Sequence, residues 1–268
     1  MKIRLIVIIC LMLLPVNLKA ADKIVVLYPA VSPILVELGI TKQVVGTTSS
    51  DETFKDALKV GSHLKPNIEM ISSLQPDLII AGSKMTWSDE ARKNVNVDVF
   101  YYNPKTLNEI LQKITELGKI LNRQSQASKI NERLKAQLSM ILPIEKKITV
   151  IYEVTENPLR AAGSESIESS IIEAAGGINL IKIEKKNATI SIEQALQLNP
   201  DFYIYQVGPM NKNPQKPKER YQYKTLKSKF IKVDEFEFAR PGINSFDAAV
   251  KLNKIFINKG SALDPQGD

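Results

Sequence analysis

The residues able to do chemistry are few, and their scarcity narrows the chemistry. The 268-residue chain carries one histidine, His63, and one cysteine, Cys10. It has no Gly-x-Ser-x-Gly elbow and no phosphate-cradling loop ending in Gly-Lys-Ser/Thr. Glu153 and Glu156 are the carboxylates able to share a cleft for acid–base work, and such activity would have to show turnover. A single imidazole also falls short of the several histidines that bare zinc or manganese sites gather. The groups that remain suit holding a ligand rather than transforming it. Tyr28, Ser83, Trp87, Glu153, Gln206 and Arg240 fall at or just beyond predicted strand ends, where open α/β sheets bind ligands. Arg240 is able to grip a carboxylate, phosphate or other oxyanion in two-pronged fashion, or to pair with Glu235 or Glu237. Trp87, the only tryptophan, offers either a stacking platform or a core side chain. No catalytic residue, metal ligand set or cofactor is predicted.

Two further glutamates stand out because the chain repeats itself around them. Ile68-Glu69 leads to Leu74, Pro76 and Asp77 and then apolar Leu78-Ile79-Ile80. Ile192-Glu193 leads in the same way to Leu198, Pro200 and Asp201 and then Phe202-Tyr203-Ile204, at a constant offset of 124 residues. Each copy reads as a short helix stopped by proline and followed by a buried strand. Two distant copies of one helix–strand unit predict two similar lobes rather than a solenoid. Glu69 and Glu193 sit in a first helical turn, where a carboxylate favours the helix dipole, and Ser191 with Gln194 forms a capping-box pattern. By the same offset His63, six residues before Glu69, has Asn187 as its counterpart. His63 is either an ordinary loop residue or a group that faces a ligand.

The elements that must position these residues alternate in type. Runs at residues 24–28, 44–47, 78–81 and 97–101 read as strands in the first half, and 148–153, 202–205 and 230–233 in the second. Helical patterns lie between them, including residues 166–175, which stop at Gly176-Gly177. The predicted fold class is α/β: two similar lobes with parallel sheets, joined by a single long spine helix, with a ligand cleft between them. Leu107, Ile110, Leu111, Ile114 and Leu117 make one apolar stripe; Ile130, Leu134, Leu138 and Ile141 make the next. A helix over 124–142 would be about 28 Å long at 1.5 Å per residue, and one helical connection allows only small hinge motion. The predicted organisation is a leader at 1–20, a first lobe at 22–104, a helical linker at 105–143, a second lobe at 144–258 and a tail at 259–268.

Lys2 and Arg4, an apolar run from Leu5 to Leu14, and Ala20 before Ala21 form the pattern of a cleavable secretory signal. Removing it takes away Cys10, so stability must come from packed cores. It also takes three basic residues, leaving 33 Lys+Arg against 29 Asp+Glu, a net +4. These charges are scattered, which argues against a nucleic-acid partner. The basic stretch between Lys212 and Lys232 reads as a solvated loop.

In order along the chain, Tyr28-Pro29-Ala30, Leu38-Gly39, Val45-Gly46, Gly61, Asn67-Ile68-Glu69, Leu74-Gln75-Pro76-Asp77, Glu116-Leu117-Gly118, Pro158, Gly163, Ala175-Gly176-Gly177-Ile178-Asn179 and Arg240-Pro241-Gly242 resemble the class III periplasmic binding proteins of ABC importers. The resemblance covers nearly the whole mature chain. It implies a monomer in the periplasm that binds a small molecule, either an iron–siderophore, haem or cobalamin, and delivers it to an inner-membrane permease dimer. Glu69 and Glu193 would then dock on arginines of the two permease subunits. His63 falls where cobalamin binders of this family carry a pocket tryptophan, a departure that weakens cobalamin as the ligand. An oxyanion such as molybdate is the runner-up ligand. A non-transport enzyme or sensor on the same fold is the other reading.

Overall fold

The computed structural model describes residues 21–258, so the predicted leader, Cys10 and the predicted tail lie outside the described residues. In the first half, strands β1 (Ile24–Val26), β2 (Val44–Thr47), β3 (Leu58–Lys59), β4 (Leu78–Ala81) and β5 (Asp98–Tyr101) alternate with helices α1 (Ser32–Glu37), α2 (Ile68–Leu74) and α3 (Asp89–Val95). They form one sheet in the order β3-β2-β1-β4-β5, and every pairing is parallel. The central strands β1 and β4 are buried along their whole length, which is why they read as unbroken apolar runs.

Helices α4 (Leu107–Ile120) and α5 (Gln124–Leu138) follow as an antiparallel pair. Thr106 caps α4 by accepting the Glu109 N–H, and the buried stripe of α4 is the one read from its spacing. The spine α5 is shorter than the expected 124–142. Past Leu138 the chain leaves the helix, because Asn253 takes both the N–H and the C=O of Leu142 and Pro143 disfavours helix before it. At 1.5 Å per residue its 15 residues span about 22 Å. The spine holds both halves: Arg133 pairs with Glu37 on α1, and Gln137 donates to Asp247 on the last helix at 2.7 Å.

The second half contains β6 (Ile148–Thr155), β7 (Arg160–Ala162), α6 (Ile167–Ala174), β8 (Gly177–Asn179), β9 (Asn187–Thr189), α7 (Ile192–Leu198), β10 (Phe202–Val207), β11 (Lys229–Asp234), α8 (Glu235–Phe238) and α9 (Asn244–Ile257). Its sheet runs β11-β10-β6-β7-β9, with β8 also on β6. It is mixed rather than wholly parallel: β7 is antiparallel to both β6 and β9. The residues between β6 and β7 are too few for a crossover helix, so the chain folds straight back as a hairpin.

The repeat has a common local logic in both halves. Asn67 caps α2 through the Met70 N–H, and Ser191 caps α7 in a full capping box with Gln194. Both helices end on a left-handed residue, Gln75 or Asn199, just before the proline. The aspartate after each proline then ties down a neighbouring strand. Asp77 accepts the N–H of Lys23 at 2.9 Å, beside β1, and Asp201 accepts the N–H of Thr149 at 2.8 Å, in β6. Proline stops the helix, and aspartate registers the next strand.

Candidate functional site

The two sheets present their carboxyl ends to each other, and the loops there form the site. Tyr28 follows β1, half-buried, with its ring 6.3 Å from that of Tyr102. It lies so close over Gly82 that a Cβ there would come within 3.1 Å of the ring, so any larger residue at this point in the loop after β4 would push the ring aside. Tyr102 is fully buried and its hydroxyl crosses to the other half, donating to the Pro241 carbonyl at 3.0 Å. Beside it, a Cβ on Gly242 would meet the Ala30 carbonyl at 3.1 Å. Arg240-Pro241-Gly242 is therefore the place where the halves touch at the bottom of the cleft. Lys105 and Glu165, 2.8 Å apart, bridge the same seam at its edge.

Charge in the cleft is mostly positive. His63 is exposed in the loop between β3 and α2. Desolvation, then the charges of Arg240 and Lys186, hold its imidazole below the usual histidine range. Both of these cations belong to the opposite half, so His63 faces across the cleft. Arg240 is half-buried, its guanidinium 3.9 Å from the centre of the Phe236 ring, and has no ion-pair partner among the described residues. Glu235 and Glu237, its candidate partners, are engaged elsewhere. Glu235 accepts the Met210 N–H at 2.7 Å, and Glu237 pairs with Lys251 at 2.8 Å. Desolvation lowers the pKa of Arg240, against the pull of Glu235, Tyr28, Asp234 and Asp51. Asp51 in turn is buried and bonded by Ser32 and Thr47 hydroxyls at 2.6 and 2.8 Å, so it shapes the first-half wall.

Apolar surface completes the site. Leu64 after β3, Met85 after β4, Met210 after β10 and Phe236 after β11 are 72, 95, 49 and 47 % exposed. Each stands in a segment that follows a strand of one of the two sheets, the same layer as His63 and Arg240. Large apolar groups left bare beside cations are a ligand-facing feature rather than a core one.

Three of the residues expected to contact ligand are removed by burial. Trp87 has no exposed surface and packs with Leu27, Ile71 and Ile79 in the first-half core, so it is no stacking platform. Glu153, also fully buried, takes both prongs of Arg220 at 2.6 and 2.8 Å and the Tyr203 hydroxyl at 2.6 Å. Gln206 is fully buried and accepts the Tyr152 hydroxyl at 3.1 Å. Ser83 is half-buried and bonded to the Thr86 hydroxyl at 3.1 Å. Asn187 is half-buried at the start of β9, with its side-chain oxygen unpartnered. Nothing local in the sequence marks Lys186, Leu64, Met210 or Phe236 as cleft-facing, because a lysine or an apolar residue beyond a strand end carries no such signal of its own.

A family model described as periplasmic binding protein matches residues 24–257, nearly all of the described chain. The chain belongs to the periplasmic binding protein family. Members of this family are substrate-binding proteins. Among curated relatives, the high-affinity heme uptake system protein IsdE of Staphylococcus aureus is 27 % identical over 175 residues, 60 % of this chain and 59 % of that protein. The match therefore spans less than two thirds of that relative. Solved structures extend the likeness in fold. S. aureus IsdE complexed with heme superposes with a TM-score of 0.77 at 22 % identity, covering 88 % of this chain and 98 % of that one. The periplasmic heme-binding protein HutB of Vibrio cholerae gives 0.76 at 20 % identity, covering 87 and 98 %. The vitamin B12 binding protein BtuF of V. cholerae gives 0.72 at 20 % identity, covering 90 and 98 %. These levels of identity establish the fold.

In this binding protein Glu69 and Glu193 both stand exposed at the second position of their helices, α2 and α7. Hydrogen bonds from the Ser191 hydroxyl and its own backbone N–H hold the Glu193 carboxyl below the usual range, so this glutamate stays charged and also serves its helix end.

Proposed function

We propose that this protein is the substrate-binding component of an ABC importer. After loss of its leader it works in the periplasm as a monomer, capturing an apolar metal chelate that carries carboxylates, with haem as the first candidate. The observation that carries the reading is the cleft wall: the charges of Arg240 and Lys186 reach across to His63, and Leu64, Met85, Met210 and Phe236 stand exposed on strand-end segments of the same layer. A flat macrocycle with carboxylate arms satisfies both parts of such a wall. A bare oxyanion such as molybdate would use the cations and leave the apolar rim wet. Cobalamin and iron–siderophores share the apolar requirement and belong to the same test. Binding without turnover fits the site, since Glu153 and Glu156 are both committed to Arg220.

The test is a thermal-shift panel on residues 21–268 with haemin, cobalamin, ferric siderophores, molybdate and zinc. A true ligand at a hundred times its dissociation constant stabilises by about 2.7 kcal/mol. A shift with molybdate alone would overturn the chelate reading. Arg240→Ala removes a charged hydrogen-bond donor, worth roughly 1.5–3 kcal/mol, so haemin affinity measured by titration should fall about 10- to 100-fold. An unchanged affinity would take Arg240 out of the site.

Glu69 and Glu193 are proposed to meet arginines on the two permease subunits, because paired exposed charges set orientation and encounter rate. Glu69→Ala with Glu193→Ala should leave ligand affinity unchanged and cut uptake in cells or proteoliposomes. Poor ligand binding with normal transport at saturating ligand would sink the docking role.

A further inference from the structure

Beneath the cations of the cleft lies a carboxyl that ligand contact alone does not explain. Glu168, second residue of α6, is 1 % exposed, and its Oε2 has no hydrogen-bond partner. The Gln206 amide nitrogen nearby in the same half is also buried and unpartnered. Such groups are costly to leave in a fold, and a titrating carboxyl lessens the cost by binding a proton. Burial holds Glu168 up at about 7; the Lys186 charge and hydrogen bonds from its own backbone and Ser166 pull it down, and Glu235 pushes it up. The charged and titratable groups around it come from several elements: Tyr152 on β6, Glu235 on α8, and Lys186 in the segment before β9.

Lys186 links this carboxyl to the cleft. It lines the narrow gap of about 40 Å³ between the halves, with Ile167, Pro104 and Pro241, and its charge is felt by both Glu168 and His63. One ammonium therefore serves two masters. When Glu168 is ionised, Lys186 is partly neutralised from below and the cleft is less positive. When an anion occupies the cleft, Lys186 is drawn to it and the ionised carboxylate beneath loses its counter-charge while gaining a like charge.

We propose that Glu168 is a proton-linked specificity residue, so that capture of an anionic ligand by Lys186, Arg240 and His63 is accompanied by proton uptake at Glu168. This rests on the reading of the cleft as a site for a carboxylate-bearing chelate. Affinity then falls as pH rises through neutrality, because the proton must be taken from an increasingly dilute supply. Neutral ligands gain nothing from the proton, which makes the device selective for anions.

The experiment uses the mature chain with haemin as probe, comparing wild type, Glu168→Gln and Lys186→Gln. Calorimetry in two buffers of different ionisation enthalpy reads proton uptake, and affinity is followed from about pH 6 to about pH 8. Wild type should take up more protons than Glu168→Gln and lose affinity more steeply, by on the order of tenfold over the range. Lys186→Gln should bind more weakly and show a reduced difference when combined with Glu168→Gln. His63 and haemin itself would contribute protons of their own, but both are common to wild type and Glu168→Gln, so the difference isolates Glu168. Equal proton uptake in these two, with haemin bound, would overturn the coupling and leave the ligand reading standing. No haemin binding by either at any pH would overturn both.

Discussion

Replacing Arg220 by methionine is expected to cost about 3–5 kcal/mol of stability, the penalty for leaving a buried charge without its partner. The Arg220 side chain is 6 % exposed and Glu153 is fully buried. The carboxylate accepts both prongs of the guanidinium at 2.6 and 2.8 Å, and the Tyr203 hydroxyl adds a third bond at 2.6 Å. Tyr223 lies 3.0 Å from the Tyr203 hydroxyl and beneath the guanidinium, closing the cluster. Burial by itself would lower the pKa of Arg220, but hydrogen bonds and charge from Glu153, then charge from Glu156, more than reverse it. Without Arg220, the buried Glu153 carboxylate is left without its ion-pair partner. At about 2–4 °C per kcal/mol for a domain of this size, the midpoint of thermal unfolding should fall by roughly 6–20 °C. Adding Glu153→Leu and Tyr203→Phe removes the stranded groups together and should restore much of the loss, as buried pairs often tolerate joint apolar replacement. Haemin affinity below the transition should not change. A loss under about 1 kcal/mol would mean the pair is solvated.

Glu168→Gln is expected to raise stability at neutral and alkaline pH by on the order of 3 kcal/mol, and to have little effect in acid. The sign follows from where the proton sits. The folded carboxyl titrates at about 7 against 4.5 for the ordinary group, so between these values the folded chain holds a proton that the unfolded chain has lost. Stability therefore falls as pH rises from about 4.5 to about 7 and stays low above that. Glutamine has no such titration, and the two proteins should diverge across that window. An amide that finds no partner for its own N–H will trim the gain. Urea unfolding at about pH 4.5 and about pH 8 measures it, and parallel stability at both values would show that Glu168 is not held neutral. The same variant thus loses the proton coupling of binding while gaining stability, the pattern of a strained group kept in the fold for function.

Much of the fold was legible because its signals are local. Val44–Thr47 and Leu78–Ala81 are strands with the bounds read from their β-branched and apolar runs. Ser166 caps α6, and the buried face of α4 is the one its spacing predicts. The strand Leu58–Lys59, only two residues long and exposed at both, is too short to show a period. The antiparallel β7 and β9 carry little signal of their own: Arg160–Ala162 and Asn187–Thr189 are three residues each, and their pairing with one another spans nearly thirty residues of chain. Spacing alone overextends the spine because what stops it, Asn253 bonding Leu142, lies 111 residues away.

The site divides along the same line. By itself the sequence determined the two-lobed α/β plan, the duplicated helix bearing Glu69 and Glu193, and the strand-end loops where His63 and Arg240 stand. Each of these rests on periodicity, capping chemistry and proline stops, which act over a few residues. Only the tertiary structure decided which strand-end side chains face the cleft. It took Trp87, Glu153 and Gln206 into the interior, and it brought Lys186 within electrostatic reach of both His63 and Glu168. The physical reason is that burial and ion pairing depend on partners supplied by distant parts of the chain. Glu153 could not be read as half of an internal pair until the fold brought Arg220, 67 residues on, to within hydrogen-bond distance.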